Sequence, residues 1–316
     1  MGTRRIIAQY PWAKAPLIVS APMRQIALSE LATEVSLAGG LGFIGSGSDQ
    51  SDLDQILEDS RRLLSKIEPP LVANHGTLPV GVGFLNWGAD LKAALSSIKK
   101  YKPAAIWLFA PRHNDNLVEW TQRTRSLTNG ATKIWIQVGC VDDAMDVVKS
   151  CKPDVLIVQG CDAGGHGLNQ SASIISLLPE VSSGLGTLVE SGELKAAEYP
   201  ILIATGGIVE GRGVAAALAL GADGVCMGTR YLASHEANLS KGYKDEIIKR
   251  HNGGKCTVRS SIYDQLRGTT DWPKEYGGRG VINQSYHDAM AGIDWTENKS
   301  KYAEAVKAGR LLSGLS

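Results

Sequence analysis

Eight short runs of unbroken hydrophobicity along the first 228 residues constrain this chain more than any other feature. They are Leu17–Met23, Leu41–Gly45, Val80–Leu85, Ala104–Ala110, Lys133–Val138, Val155–Gln159, Ile201–Gly206 and Gly224–Gly228. A strand with one wet face alternates apolar and polar residues. Unbroken runs suit strands buried on both faces, as in a parallel sheet covered by helices. Helical patterns fall between the runs. Glu30–Ala38 follows Ser29 as the expected N-cap and stops at Gly39-Gly40. Ser51 or Asp52 opens a helix to about Lys66, and further patterns run through Lys99, over Asp142–Ser150 and over Gly211–Leu220. Eight βα repeats in roughly 230 residues match a closed (β/α)8 TIM barrel, a fold of ~250 residues. An open doubly wound sheet shares this periodicity; the count of eight selects the barrel.

After Tyr231 the pattern breaks. Residues 234–298 are polar and rich in Gly, Tyr and Trp, and include Asp271-Trp-Pro-Lys-Glu-Tyr-Gly-Gly-Arg-Gly280. This segment is expected to form helices and loops over one end of the barrel, as a small lid subdomain. Ser300–Leu312 reads as an amphipathic helix that supplies the eighth barrel helix. The expected division is therefore a barrel of residues 1–233 plus 299–316, with a lid of residues 234–298. Gly40-Leu-Gly-Phe-Ile-Gly45 fits the spacing of a dinucleotide-binding loop, but a helix precedes it and a strand follows. The fingerprint needs the reverse order, so these glycines read as a helix stop and a tight entry into the second strand.

Lys and Arg are scattered and the net charge is +1, so no basic stripe suggests nucleic acid. No apolar segment suggests a membrane span or a signal peptide. The five cysteines, Cys140, Cys151, Cys161, Cys226 and Cys256, form no C-x-x-C pair and leave one over. Reduced thiols and a cytoplasmic location are the expectation. Nothing in the spacing suggests a metal site.

In a barrel of this kind the chemistry sits at the C-terminal strand ends. The sixth run ends there in Gln159-Gly-Cys-Asp-Ala-Gly-Gly-His-Gly167, read as a polar loop that delivers one titratable side chain, His166, among glycines. Gly206-Gly207 follows the seventh run and Gly228-Thr229 the eighth. Loops after strands seven and eight often bind phosphate through backbone N–H groups, which glycine lets approach closely. Cys161 reads as an inert buried thiol. Tyr286 and His287 are assigned to the lid surface, outside the site.

Ala21-Pro-Met23, Gln159 through His166, Ala204-Thr-Gly-Gly-Ile208 and Met227-Gly-Thr-Arg-Tyr-Leu232 together resemble the nitronate monooxygenase (2-nitropropane dioxygenase) family, from about residue 16 to 310. Ala163-Gly-Gly-His166 is the most specific element. The resemblance implies an FMN-dependent barrel enzyme. It would oxidise alkyl nitronates, or nitroalkanes, with O2 to a carbonyl compound and nitrite, without metal or reduced nicotinamide. It implies a flavin phosphate on Gly206, Gly207, Gly228 and Thr229. The ring would lie near Ala21, Pro22, Met23, Gln137 and Gln159, with Gly164 and Gly165 completing the cofactor site. His166 would face the substrate, as a base toward a nitroalkane or as a stabiliser of a nitronate anion. Homodimerisation is left open. Asp162 stands where the family often has Glu, and Gly167-Leu168 where a polar residue often follows the histidine; these departures bear on the substrate. An FMN- and NAD(P)H-dependent enoyl-acyl carrier protein reductase shares the motifs and is the alternative. A phosphate-binding barrel without catalysis is the third.

Overall fold

The computed structural model describes residues 2–307. Eight parallel strands close into a barrel: β1 (Leu17–Ser20), β2 (Leu41–Gly47), β3 (Leu78–Leu85), β4 (Pro103–Phe109), β5 (Lys133–Val138), β6 (Val155–Gln159), β8 (Ile201–Thr205) and β9 (Gly224–Met227). The seam joins β9 to β1, with Leu17 opposite Gly224 and Ser20 opposite Met227. A second sheet, absent from the sequence expectation, lies outside the barrel. It holds β7 (Gly165–Leu168), β10 (Thr257–Ser260) and β11 (Tyr276–Val281) in the order β10-β11-β7.

The unbroken runs are explained by two cores. Along β5 and β6, Ile134, Ile136, Leu156 and Val158 face the helices, while Trp135, Val155 and Ile157 face the barrel axis. Phe43, Trp107 and Trp135 fill the interior, with Phe43 and Trp135 ring centroids 5.0 Å apart. Each such fully buried side chain contributes about 1.5–3 kcal/mol of transfer free energy. The bottom is closed by the N-terminal helix Gly2–Gln9 and by Tyr10, whose hydroxyl accepts the Trp135 indole N–H at 2.7 Å.

The same alternation sets the mouth. Gln137 continues the inward series of Trp135, and Gln159 continues that of Val155 and Ile157. Both glutamines therefore lie in the uppermost inward layer. Glycines in β2 and β3 make way for neighbours. A Cβ at Gly42 would lie 2.0 Å from the Ala32 carbonyl oxygen of the helix Ser29–Leu37, and one at Gly83 would lie 2.3 Å from the Pro22 ring. The first of these contacts accounts for the glycine-rich entry into β2.

The helices run close to their sequence bounds, with two corrections. Leu28, not Ser29, occupies the N-cap before the helix Ser29–Leu37, and no side chain caps it. The last described helix, Trp295–Lys307, packs mainly on the helices Ile262–Arg267 and Gln284–Met290, where Tyr302 joins Tyr263 and Leu266 in a separate small core. Its described part thus lies with the excursion instead of serving as a barrel helix, because its buried face presents a tyrosine to that small core. The remainder of the expected helix, up to Leu312, lies outside the described residues.

Candidate active site

β7 grows directly from the end of β6. Gly160 N–H donates to Thr205 O at 2.9 Å and Cys161 N–H to Ala172 O at 2.8 Å, turning the chain over the mouth. The segment read from sequence as a loop then becomes a strand, antiparallel to β11, with His166 opposite Gly278 and Gly167 opposite Gly277. Glycines on both partners let the ladders approach without side chains between them. The barrel's own β6 steadies the histidine, since Gln159 Nε2–H donates to His166 O at 3.0 Å.

The His166 side chain is 8% exposed and its Nε2 lies 2.9 Å from Oδ2 of Asp264, itself 7% exposed. Its ring stacks on Trp272, centroids 3.7 Å apart and planes 3° from parallel. Trp272 in turn packs against Trp87 and Phe109, at the ends of β3 and β4, and against Tyr276 of β11. The histidine therefore sits between a buried carboxylate and an aromatic wall.

Two arginines of the outer sheet hold the turn before His166. Arg259 donates from Nη1 to Gly165 O at 3.0 Å and from Nη2 to Ala163 O at 2.8 Å, and Arg279 donates from Nη2 to Cys161 O at 3.2 Å. They are cross-strand partners on β10 and β11. Burial, and then the adjacent Arg279 charge, lower the Arg259 pKa to about 10.

The glycine pairs meet on the β8–β9 side. Gly206 and Gly207 both have positive φ, +116° and +72°, and a Cβ at Gly206 would lie 2.9 Å from Gly160 O. A Cβ at Gly164 would meet Thr229 Oγ1 at 2.7 Å, so the turn before His166 and the start of the segment after β9 are in contact. A Cβ at Gly228 would meet only Ala21, at 3.6 Å. The helix after Gly228, Thr229–Leu232, is a single turn. Backbone without side chains, bent at positive φ, forms a cradle of the kind that would admit a phosphate.

The β1 end is pinned beside this cradle. Ala21 N–H donates to Met227 O at 2.9 Å, and Arg24 bridges to Gly45. Met23 is half-buried and packs with Ala27, Leu31 and Tyr231. Gln137 accepts the Trp107 indole N–H at 2.9 Å and lines a cavity of about 460 Å3 with Pro111, Arg112, Cys140, Leu168 and Tyr276. Trp87 Nε1 and Asn86 Nδ2, at the end of β3, are buried without a partner among the described residues. The glycine cradle and the small strand-end residues together fit a phosphate-bearing cofactor with a flat ring.

Cys161 is half-exposed, with Sγ 4.0 Å from Asp162 Oδ1, and so is not the buried thiol expected. His287 is exposed and Tyr286 joins the small core of the excursion. The residues missed from sequence are Asp264, Trp272, Arg259 and Arg279. Asp264 reaches His166 across 98 positions in sequence, and nothing in Ile262-Tyr-Asp-Gln-Leu-Arg267 distinguishes it from a solvated helical face. Among the described residues no group of His, Cys, Asp and Glu is placed to hold a metal ion.

Comparison with known proteins supports the fold and identifies the family. The chain is 45% identical over 302 residues to the nitronate monooxygenase npaC of Metarhizium robertsii, covering 95% of this chain and 82% of that protein. It is 36% identical over 322 residues to a nitronate monooxygenase of Neurospora crassa, with the same coverage of 95% and 82%. Among solved structures, the nitroalkane oxidase of Streptomyces ansochromogenes shares the fold, with a TM-score of 0.71 at 20% identity over 98% of this chain and 90% of that one. FabK of Thermotoga maritima gives a TM-score of 0.69 at 25% identity over 96% and 83%. The nitronate monooxygenase family profile matches residues 98–276, the span that carries His166, Gly206, Gly207, Gly228 and Thr229. With its barrel, its strand-end glycines and a histidine over the mouth, the chain belongs to the nitronate monooxygenase family.

Proposed function

We propose that this enzyme uses FMN to oxidise alkyl nitronates with O2, giving a carbonyl compound and nitrite. The reading is carried by the position of His166, whose turn touches the glycine cradle through Gly164 and Thr229. A phosphate held by Gly206, Gly207, Gly228 and Thr229 would set the ring across the mouth, over Ala21, Pro22 and Met23. Gln137 and Gln159 stand in the uppermost inward layer, where their remaining amide atoms would hold the polar edge of the ring. Bound FMN supplies the electron transfer to O2; the protein positions and shields it.

His166 faces the substrate side. As an imidazolium it holds the negative nitro group of a nitronate, and as a neutral imidazole it accepts a proton from a nitroalkane. Trp87, Phe109, Trp272 and Tyr276 form an apolar wall that excludes water and favours an uncharged alkyl chain. The excursion from residue 234, with its sheet clamped by Arg259 and Arg279, serves as the lid. The enoyl reductase alternative is supported by the likeness to FabK at 25% identity, against 45% for npaC, and is the weaker reading.

Purified protein loaded with FMN and given propane-1-nitronate in air is expected to consume O2 and release nitrite. His166→Asn should retain FMN and lose about 100-fold or more of that activity. A chain that cannot be loaded with FMN, or a fully active His166→Asn, would overturn the proposal.

A further inference from the structure

We infer that Asp264 is a positioning residue that fixes the tautomer of His166 and makes Nδ1 the proton-accepting atom. The inference rests on the proposed role of His166. Asp264 lies in the helix Ile262–Arg267, and its side chain is 7% exposed. Its two oxygens have different partners. Thr269 Oγ1 donates to Oδ1 at 3.0 Å, and Arg267 Nη2 lies 3.4 Å from the same oxygen. Oδ2 faces His166 Nε2 at 2.9 Å. A carboxylate only accepts hydrogen bonds. The neutral imidazole must therefore carry its proton on Nε2, which leaves the lone pair on Nδ1.

Three contacts hold that assignment. The Trp272 ring covers one face of the imidazole at 3.7 Å and 3°, which fixes the plane of the ring. Gln159 holds the His166 carbonyl at 3.0 Å. The pairing of His166 with Gly278 fixes the backbone on the other side. Asp264, Trp272 and Gly278 all come from the excursion, so the base is assembled only when the excursion docks. The arrangement follows the logic of a carboxylate that orients a histidine without itself becoming protonated.

With a neutral nitroalkane the step balances within the site. The α-C–H bond breaks and its electron pair moves into the carbon–nitrogen bond, placing the negative charge on the nitro oxygens. The proton forms a bond to Nδ1, and the resulting imidazolium is neutralised through Nε2–H by Asp264. A preformed nitronate has no such proton to lose and needs His166 only to hold its anion. Asp264 should therefore matter more for the nitroalkane than for the nitronate.

Two measurements test this on the full-length, FMN-loaded enzyme. In 15N-histidine-labelled wild type, the neutral ring of His166, identified by its loss in His166→Asn, should show a protonated Nε2 and an unprotonated Nδ1. The opposite tautomer overturns the inference whatever the activity, and needs no substrate. In kinetics, Asn in place of Asp264 offers Nε2 either an N–H or an oxygen, so the tautomer is no longer fixed. Asp264→Asn should lower kcat/KM for nitroethane at least ~100-fold. The loss on ethyl nitronate, which gives up no proton, should be smaller by about tenfold or more, with FMN binding unchanged. Equal losses on both substrates would make Asp264 merely structural and overturn the inference. A wild type that oxidises ethyl nitronate but not nitroethane would overturn the base assignment and leave the proposed function standing. A wild type inactive on both would sink the proposed function, with the tautomer measurement still deciding the pairing.

Discussion

Cys226 points into the barrel from β9 and is 1% exposed. Burial pushes its thiol from the usual 9.0 up to about 12. Below the unfolded value both states hold the proton and the thiol is neutral in each. As the pH rises past about 9, the unfolded chain releases its proton while the folded chain keeps it. Stability is thus lost progressively between about pH 9 and 12. Tyr263, raised to about 12 by burial, acts in the same direction. Arg259 acts oppositely: its lowered pKa, about 10, means a charge penalty that is relieved as the folded protein loses that proton first. The urea midpoint is expected to fall from pH 9 to pH 11, and Cys226→Ala should flatten the fall. An identical pH slope in the variant would contradict the assignment. A lone cysteine in Gly224-Val-Cys-Met-Gly228 was readable as one of five unpaired thiols, but its seat inside the barrel depends on strand direction, which only the closed sheet fixes.

At the scale of elements, the site depends on how closely β2 approaches the segment after β1. A Cβ at Gly45 would lie 2.3 Å from the Met23 carbonyl carbon and 2.4 Å from its oxygen. Both are backbone atoms and cannot swing away. Gly45→Ala is expected to cost about 1–3 kcal/mol. It should also weaken FMN retention, because Ala21–Met23 must shift; thermal unfolding and flavin release on gel filtration read the two effects. Gly186, inside the helix Ile174–Glu190 with nothing within 4 Å of an added Cβ, is the control. Gly186→Ala should stabilise by about 0.5–1 kcal/mol with FMN retained. The barrel strands were legible because burial on both faces writes itself into an unbroken apolar run. β7 was not, because Gly165-His-Gly-Leu168 has no strand propensity of its own and is extended only through pairing with β11. The last helix misled for a related reason: its amphipathic period is local, while the surface it covers, around Tyr263 and Leu266, is set by the docked excursion.

Over the whole molecule, the turn before His166 and the glycine pairs lie together at the C-terminal ends of the barrel strands, and the excursion packs against them. Where these residues fall was readable because each follows an apolar run. Asp264, Trp272 and the two arginines were not, since they enter from a polar segment whose folding onto the mouth leaves no local mark. Among the described residues no helix is long and apolar enough to cross a membrane. The central claim is that electrons enter the flavin from a nitronate, across the face where His166 stands. Anaerobic mixing of the FMN-loaded enzyme with propane-1-nitronate, and separately with NADH, tests it most directly. The account predicts rapid loss of oxidised-flavin absorbance with the nitronate and little change with NADH over the same time. Rapid bleaching by NADH with none by the nitronate would contradict it.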